Sequence, residues 1–238
     1  MLKKISQILL LFIFGIAGGI FADQILWPYF VEKPLFSEYR LEQTPIYVTE
    51  IKEITVTENT ALQDAIERVE NTIVGVRTQT VDGIILQGSG LVVTSDGLFV
   101  TLNDLVPKGS VFSFFVDEEL ADFQILKRDA EENLALVKVE KSNLPTLSFA
   151  DFGKIKLGQR VFLMGIVFEK AGLKKTVNQG IIKSFDDNLI ETNIFEQNTL
   201  AGSPLFDIHA NIVGLNQINK DGKVVSIPVS KIKEFIGL

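Results

Sequence analysis

The sequence predicts an all-β fold of two six-stranded barrels, with an apolar helix before them and a short helix after them. Two lysines, Lys3 and Lys4, precede a long apolar run at the amino terminus. From Ile73 onward the apolar residues recur with a period of two, in short runs rich in Val, Ile, Phe and Thr. These runs form two sets of six, joined by a segment near 141–157. Many short strands separated by turn residues favour a barrel or a sandwich over a helical fold.

The apolar run covers 5–27, and a helix needs about 20 apolar residues to cross the hydrocarbon layer. We therefore interpret 1–27 as a signal anchor that crosses the cytoplasmic membrane once, with the bulk of the chain outside the cytoplasm. The lysines fit the positive-inside bias, and Trp27 fits an interfacial anchor. A cleaved signal peptide is the second interpretation, because Ala17-Gly18-Gly19 and Ala22 are small, although Ile20 is unfavourable for cleavage after Ala22. A buried core helix is the third.

Residues 28–60 are interpreted as a stalk because three prolines and frequent charges interrupt them. Ile54–Thr57 alternates like a short extended piece. A helix is expected after Asn59-Thr60, because one helical face then carries Leu62, Ala65, Ile66 and Val69.

The folded domain is predicted to cover 61–238, with barrels over about 70–142 and 143–229 and a closing helix over 230–238. Ser230 is the predicted N-cap of that helix. The predicted strands are 73–80, 84–94, 97–101, 111–116, 121–128, 134–140, 160–168, 174–185, 188–194, 204–208, 211–217 and 224–229. Hairpin turns with positive φ are predicted at Asp82-Gly83, Asp96-Gly97, Asp187-Asn188 and Asp221-Gly222.

Composition excludes several classes of function. The net charge is −7 and no basic stripe is present, which argues against nucleic-acid binding. The chain has no cysteine, so it has no disulfide, thiolate nucleophile or cysteine-based metal site. Its one histidine, His209, leaves little room for a histidine metal site or proton relay, and we expect neither a metal nor a cofactor.

Four segments resemble, in order, the HtrA/Deg family of trypsin-like serine proteases. The segment 88–101 (GSGLVVTSDGLFVT) resembles the hairpin that leads into the family's catalytic histidine, and 133–139 (NLALVKV) resembles the strand that begins with the catalytic aspartate. The segment 199–206 (TLAGSPLF) resembles the serine loop, and 227–229 (IPV) resembles the ending before the last helix. The resemblance implies a trypsin-like double barrel. We expect no PDZ domain, which many members carry after the protease domain, because the sequence ends at residue 238.

The catalytic side chains of the family are missing from the matching positions. Asp104 occupies the histidine position, Asn133 the aspartate position and Ala201 the serine position. A methyl group cannot attack a carbonyl carbon, and neither of the other two supplies the imidazole base. The loop equivalent to the oxyanion hole carries Thr199 and Leu200 before Ala201, and a β-branched residue resists a glycine-like φ at 199.

Other candidate residues have simpler interpretations. His209 is expected on an exposed turn, and Asp104 as a loop aspartate rather than a lone general base. Ser89 between two glycines is expected to shape a hairpin, and the segment is too short for a phosphate loop. The acidic runs at 117–119 and 186–187 lack the ligand spacing of a calcium loop.

We therefore predict a membrane-anchored pseudoprotease that acts by binding. Its expected partners are unfolded or extended polypeptides, or an active Deg-type homologue with which it co-assembles; the family resemblance implies trimers. Two alternatives stay open. One is a family member with residual or displaced catalysis, and the other is a structural envelope domain without a ligand, which a cleft blocked by 198–200 would favour.

The anchor interpretation predicts that the protein stays with the membrane after carbonate extraction. Protease added outside the cytoplasmic membrane should digest the 70–238 body, because only 5–27 is held in the bilayer. Immunoblotting of membrane and soluble fractions measures both. Recovery of a soluble product that begins near Gly18 or Asp23 would show instead that the segment is a cleaved signal.

Overall fold

The computed structural model describes residues 2–27 and 60–238. The chain divides into two compact units, Met1–Thr55 and Val56–Leu238, which are described separately. The predicted stalk lies outside the described residues except for Thr60, as does the expected extended piece at 54–57.

The first unit contains α1, Leu2–Phe21, which continues as a π-helical stretch over Ala22–Leu26. Its span Lys4–Leu26 has 23 residues with a mean hydropathy of 2.2, and its side chains are exposed. The predicted N-terminal helix is therefore confirmed, and it is long and apolar enough to cross a membrane. A signal sequence has the same length and composition.

The second unit begins with α2, which covers 60–69 in the described residues. Ala65 and Val69 are buried, and Leu62 and Ile66 pack partly buried against the same core. The predicted apolar face is thus the face that contacts the β domain.

Seven strands form the first sheet, in the order β5-β4-β1-β2-β3-β7-β6. They are β1 Ile73–Gln79, β2 Ile85–Val92, β3 Leu98–Leu102, β4 Val111–Val116, β5 Glu119–Ala121, β6 Phe123–Asp129 and β7 Leu134–Val139. The strand predicted at 121–128 is broken at Asp122 into β5 and β6. Because β5 and β6 are the two edges of the sheet, this break curls the sheet toward closure, and the Phe114 and Phe123 rings meet with centroids 4.7 Å apart. The sheet is barrel-like, as predicted, with one strand bent into two.

Six strands form a closed second barrel, in the order β10-β13-β12-β11-β8-β9. They are β8 Arg160–Glu169, β9 Gly172–Phe185, β10 Ile190–Phe195, β11 Pro204–Asp207, β12 Ile212–Ile218 and β13 Lys223–Pro228. This confirms the predicted six-stranded barrel. β8 is buried on both faces: Phe162 and Met164 join the large core shared with the first sheet, and Leu163 joins the core inside the second barrel.

The closing helix α3, Val229–Ile236, buries Val229, Ile232 and Phe235. Its N-cap is Pro228, without a side-chain hydrogen bond, so the prediction of Ser230 as the N-cap was wrong. Proline suits this position because it has no N–H that needs a partner. Gly237 ends the helix with a φ of 85°.

Three of the four predicted turns have the expected positive φ, at Gly83, Gly97 and Gly222. Asn188 has no positive φ, contrary to the prediction. That turn closes through Asp186, whose Oδ1 accepts hydrogen bonds from the N–H groups of Asn188 (2.8 Å) and Leu189 (2.9 Å). An aspartate that caps its own turn removes the need for a left-handed residue.

Ser89 of β2 joins the two barrels. Its Oγ accepts a hydrogen bond from the Ile166 N–H of β8 (2.8 Å), and its N–H donates to the Ala201 carbonyl (2.9 Å). Its own carbonyl accepts from Thr101 Oγ1 of β3 (2.7 Å). Ser89 is fully buried, so its role is structural, as predicted, and its hydroxyl is unavailable as a nucleophile.

The loop after Ala201 packs against β2 through a glycine. Gly202 has a φ of 75°, and a Cβ built on it would overlap the Ser89 carbonyl oxygen. Gly83, on the β1–β2 turn, has a φ of 81° but nothing within 4 Å of such a Cβ. A side chain at either position would strain the backbone, but only a side chain at Gly202 would also overlap a neighbouring atom.

Gly83→Ala should lower the free energy of unfolding by about 1–2 kcal/mol, because only the left-handed backbone is strained. Gly202→Ala should lower it by roughly 3 kcal/mol or more, because overpacking against β2 adds to the same strain. Denaturant unfolding of the full chain in detergent, monitored by far-ultraviolet circular dichroism, measures the free energy of unfolding of both variants. Equal losses in the two variants would contradict the close packing at Ser89.

Candidate active-site cleft

A cleft of about 560 Å³ collects residues from both halves of the β domain. The predicted triad-equivalent residues Asp104, Asn133 and Ala201 all line it, and so does Thr199. The other lining residues are Ile85, Leu86, Gln87, Leu102, Leu105, Asn198, Gln217 and Ile218. Residues that are far apart in sequence thus meet where the family resemblance places an active site.

Asp104 lies on a single 3₁₀ turn, Asn103–Leu105, that directly follows β3. Leu105 is buried, and its carbonyl accepts a hydrogen bond from Thr78 Oγ1 of β1 (2.6 Å). This anchor fixes the turn against the first sheet and leaves the Asp104 side chain exposed.

Asn133 immediately precedes β7 and has a φ of 54°, a left-handed conformation that asparagine tolerates well. Its side-chain Nδ2 donates to Asp104 Oδ2 (3.1 Å), and its Oδ1 accepts from the Asp104 N–H (3.0 Å). Its carbonyl accepts from the Asn103 N–H (3.1 Å). The amide therefore holds both the backbone and the carboxylate of residue 104, whereas an aspartate at 133 would place two carboxylates side by side.

Ala201 lines the cleft, is 4% exposed and follows the 3₁₀ turn Asn198–Leu200. Its N–H donates to the Asn198 carbonyl (3.1 Å), and the Leu200 N–H donates to the Gln197 carbonyl (3.0 Å). An oxyanion hole needs backbone donors directed at the substrate, including the one at the nucleophile position. In this structure that donor is occupied inside the turn.

Thr199 does not adopt the strained backbone that a glycine would permit, because it is absent from the positive-φ residues of the described chain. The turn uses ordinary helical geometry instead. Leu200 points away from the cleft and is only 2% exposed, in the core of the second barrel. Gly165 leaves room for the Leu200 side chain, because a Cβ built on Gly165 would lie 2.7 Å from Leu200 Cδ2.

The remaining nucleophile and base candidates lie elsewhere. Ser203 is fully buried, and its Oγ accepts from Asn216 Nδ2 (3.1 Å). Asn216 Oδ1 in turn accepts from Ser226 Oγ, so this polar network is satisfied within the barrel. His209 is exposed on the β11–β12 turn and is not among the cleft residues, in agreement with the turn interpretation.

The cleft is nearly neutral. Asp104 is the one ionisable side chain among its lining residues. Carboxyls with lowered pKa lie outside the cleft: a hydrogen bond from Lys138 lowers the pKa of Asp96, and one from Lys223 lowers the pKa of Glu191. Within the described residues, no group of three or more His, Asp or Glu side chains is placed to hold a metal ion.

One side of the cleft is the free edge of a strand. β12 pairs with β13 as far as Ile218, but β11 begins at Pro204, opposite Leu215. The N–H and C=O of Asn216 face the β11 side and bond to Ser203 and Gly202 (both 2.8 Å). Backbone groups alternate between the two sides of a strand, so those of Ile218 face the same side, beyond the end of β11. The alternation at 211–217 predicted the strand, but its free edge depends on where the neighbouring strand begins.

Comparison with known proteins places this geometry in a family. Residues 88–215, more than half of the chain, match the trypsin-like peptidase domain. A probable periplasmic serine endoprotease of the DegP-like type from Rhizobium meliloti is 32% identical over 169 residues, which are 63% of this chain and 32% of that protein. A DegP-like protein from Hahella chejuensis is 29% identical over 138 residues, 54% of this chain and 29% of its own. The chain thus spans about a third of the length of these relatives.

A solved structure described as the HtrA-type protease AlgWS227A with tripeptide has the same fold, with a TM-score of 0.65 and 22% identity over 74% of this chain and 62% of its own. The two barrels, the matched residues 88–215 and these relatives lead to one assignment. The chain belongs to the trypsin-like peptidase domain family and, within it, to the HtrA/Deg proteases.

Proposed function

We propose that this protein is a membrane-anchored, catalytically inactive HtrA-like pseudoprotease that binds extended polypeptide segments. The observation that carries the proposal is Ala201, which lines the cleft at the position that matches the family's serine and has no nucleophilic atom. The cleft keeps the volume to hold a chain, and residue 201 offers no oxygen or sulfur to attack it.

The loss of catalysis is supported at each step of the reaction. Ala201 supplies no nucleophile, and Asp104 replaces the imidazole that would take and return the proton. The N–H of Ala201 is bonded to Asn198, so a donor for the oxyanion is also missing. Displaced catalysis by Asp104 is the weaker alternative, because the hydroxyls of Ser89 and Ser203 are buried and hydrogen-bonded away from it.

Binding is supported by the free edge of β12 and by the open cleft beside it. An extended chain can add to such an edge through backbone hydrogen bonds, which are independent of sequence. Leu200 is buried in the barrel rather than folded over the cleft, which argues against a structural domain with a blocked site. The HtrA-type structure of the same fold is described with a tripeptide.

The cellular setting follows from α1 and from the relatives. We propose that Lys4–Leu26 is a single-pass anchor in the cytoplasmic membrane and that the β domain lies outside the cytoplasm, as expected for relatives described as periplasmic. Unfolded envelope proteins are then the accessible ligands. An active Deg-type homologue is a second candidate partner, through assembly into trimers of the kind that the family resemblance implies.

The full chain in detergent should bind a fluorescently labelled, chemically unfolded protein without cleaving it. Fluorescence anisotropy measures the binding, and gel electrophoresis of the same samples measures cleavage. A fluorophosphonate probe should label no residue, because Ala201 has no hydroxyl. Stoichiometric labelling of any serine would overturn the proposal.

A variant of the strand edge tests whether the ligand adds to β12. Ile218→Pro removes an N–H from the free edge of β12 and leaves the pairing of that strand with β13 intact, since proline is tolerated at edges. It should weaken binding at least several-fold while the circular dichroism spectrum is unchanged. Unaltered binding would show that the ligand does not add to β12.

Restoring the three triad residues should rescue catalysis poorly. Asp104→His, Asn133→Asp and Ala201→Ser rebuild base, orienter and nucleophile, but the turn at 198–200 still occupies the Ala201 N–H. Loss of one oxyanion donor costs roughly 10²–10³ in rate. Adding Thr199→Gly should therefore raise the activity of the triple variant, because a glycine allows this turn to open.

Leu200 is left unchanged in this design because its side chain fills the second core. Both variants are assayed on the same peptide ester, and Thr199→Gly alone serves as the inactive control. Equal and substantial activity with and without Thr199→Gly would show that the oxyanion hole forms despite the turn.

A further inference from the structure

The cleft contains a carboxylate that no cation in the described chain neutralises. Asp104 takes part in none of the ion pairs between described residues. Its one side-chain hydrogen bond comes from Asn133 Nδ2 to Oδ2. A carboxylate accepts about four hydrogen bonds, so Oδ1 and part of Oδ2 stay available to a ligand.

This carboxylate is held in position rather than free to turn away. Asn133 binds the Asp104 backbone and side chain together, and the buried Leu105 anchors the turn that carries them. A prepositioned acceptor loses little conformational entropy when it binds, which makes it effective for recognition.

The surroundings favour a single positive charge opposite Asp104. The remaining cleft residues are apolar or neutral, including Leu86, Leu102 and the amides of Gln87 and Gln217. A neighbouring pocket shares Asn198 and Ile218 with the cleft and carries one acid and one base, Glu196 and Lys220. Asp104 is therefore the unbalanced charge of this surface.

A chain that adds to β12 would present its side chains alternately to the two faces of the extended strand. Asp104 and Ile218 line the same cleft, so one of each two neighbouring side chains of the added chain faces into the cleft that contains Asp104. Lysine or arginine at that position would form a charge-assisted hydrogen bond with the carboxylate.

We propose that Asp104 selects extended polypeptides that carry a lysine or arginine opposite it, so that the residue in the histidine position of the family determines specificity here. This inference rests on the proposed binding function and names its ligand class. An acidic residue at that ligand position is disfavoured by repulsion, and a neutral one is accepted without preference.

The test is a selection from a library of short random peptides displayed with both ends blocked, on the immobilised full chain in detergent. Sequencing of the retained peptides gives the enrichment of each residue type at each position. A basic residue should be enriched roughly 1.5-fold to fivefold at one position, the range expected for an exposed charge pair. The enrichment should fall as salt is raised.

Asp104→Asn keeps the size of the side chain and an acceptor for Asn133 but removes the charge. It should abolish the basic enrichment and still retain peptides. Asp187→Asn is the matched control, because it removes one exposed carboxylate from the β9–β10 turn, away from the cleft. It should leave the enrichment unchanged.

The outcomes separate the two proposals. Retention of peptides with no basic preference, or with the same preference in Asp104→Asn, overturns the inference and leaves the binding function standing. Failure to retain any peptide above the level of a bare matrix overturns the binding function, and the inference with it.

Discussion

The hydrogen bonds of Ser89 determine the geometry of the whole cleft. One residue binds β3 through its carbonyl, β8 through its hydroxyl and the loop before β11 through its N–H. These contacts require close approach, so glycines stand where a side chain would intrude: the Cβ position of Gly88 lies 2.5 Å from the Ala201 carbonyl, and that of Gly202 overlaps Ser89 itself. Because Ser89 is fully buried, each of these hydrogen bonds that failed to form would leave a desolvated polar group, at a cost of about 1–3 kcal/mol in stability. The scaffold is therefore fixed by folding energetics, independently of whether the cleft performs chemistry.

On this scaffold, the residues at the proposed triad-equivalent positions hydrogen-bond within the protein. In an active oxyanion hole, backbone donors stay directed at the position of the developing charge. Here the Ala201 N–H bonds to the Asn198 carbonyl in an ordinary turn, and Asn133 accepts from the Asp104 N–H and donates to one of its two carboxylate oxygens. Pairing backbone donors that an active site would leave unpaired commonly raises stability at the expense of activity. The turn at 198–201 pairs the N–H groups of Leu200 and Ala201 in this way.

The sequence predicted the strands well because they depend on a local pattern. Period-two alternation identified every strand of the second barrel. Asp104, Asn133 and Ala201, which motif order selected, line one cleft. The features that the sequence did not reveal depend on tertiary partners. The break at Asp122 reflects closure of the first sheet, and burial of Leu200 requires the space that Gly165 leaves on another strand. The free edge at Ile218 exists only because β11 begins opposite Leu215, which no single segment reveals.

In the proposed pseudoprotease, binding and catalysis use separable parts of the fold, so that one can be lost without the other. The strand edge is a property of the backbone of β12, positioned by its pairing with β13. The proposed triad-equivalent residues lie after β3, before β7 and before β11, and none of them takes part in that pairing. On the same proposal Asp104 changes the electrostatics of the cleft, because a carboxylate lies where the family resemblance implies an imidazole. Recognition by such a cleft then depends on the charge of the ligand as well as on its extended backbone.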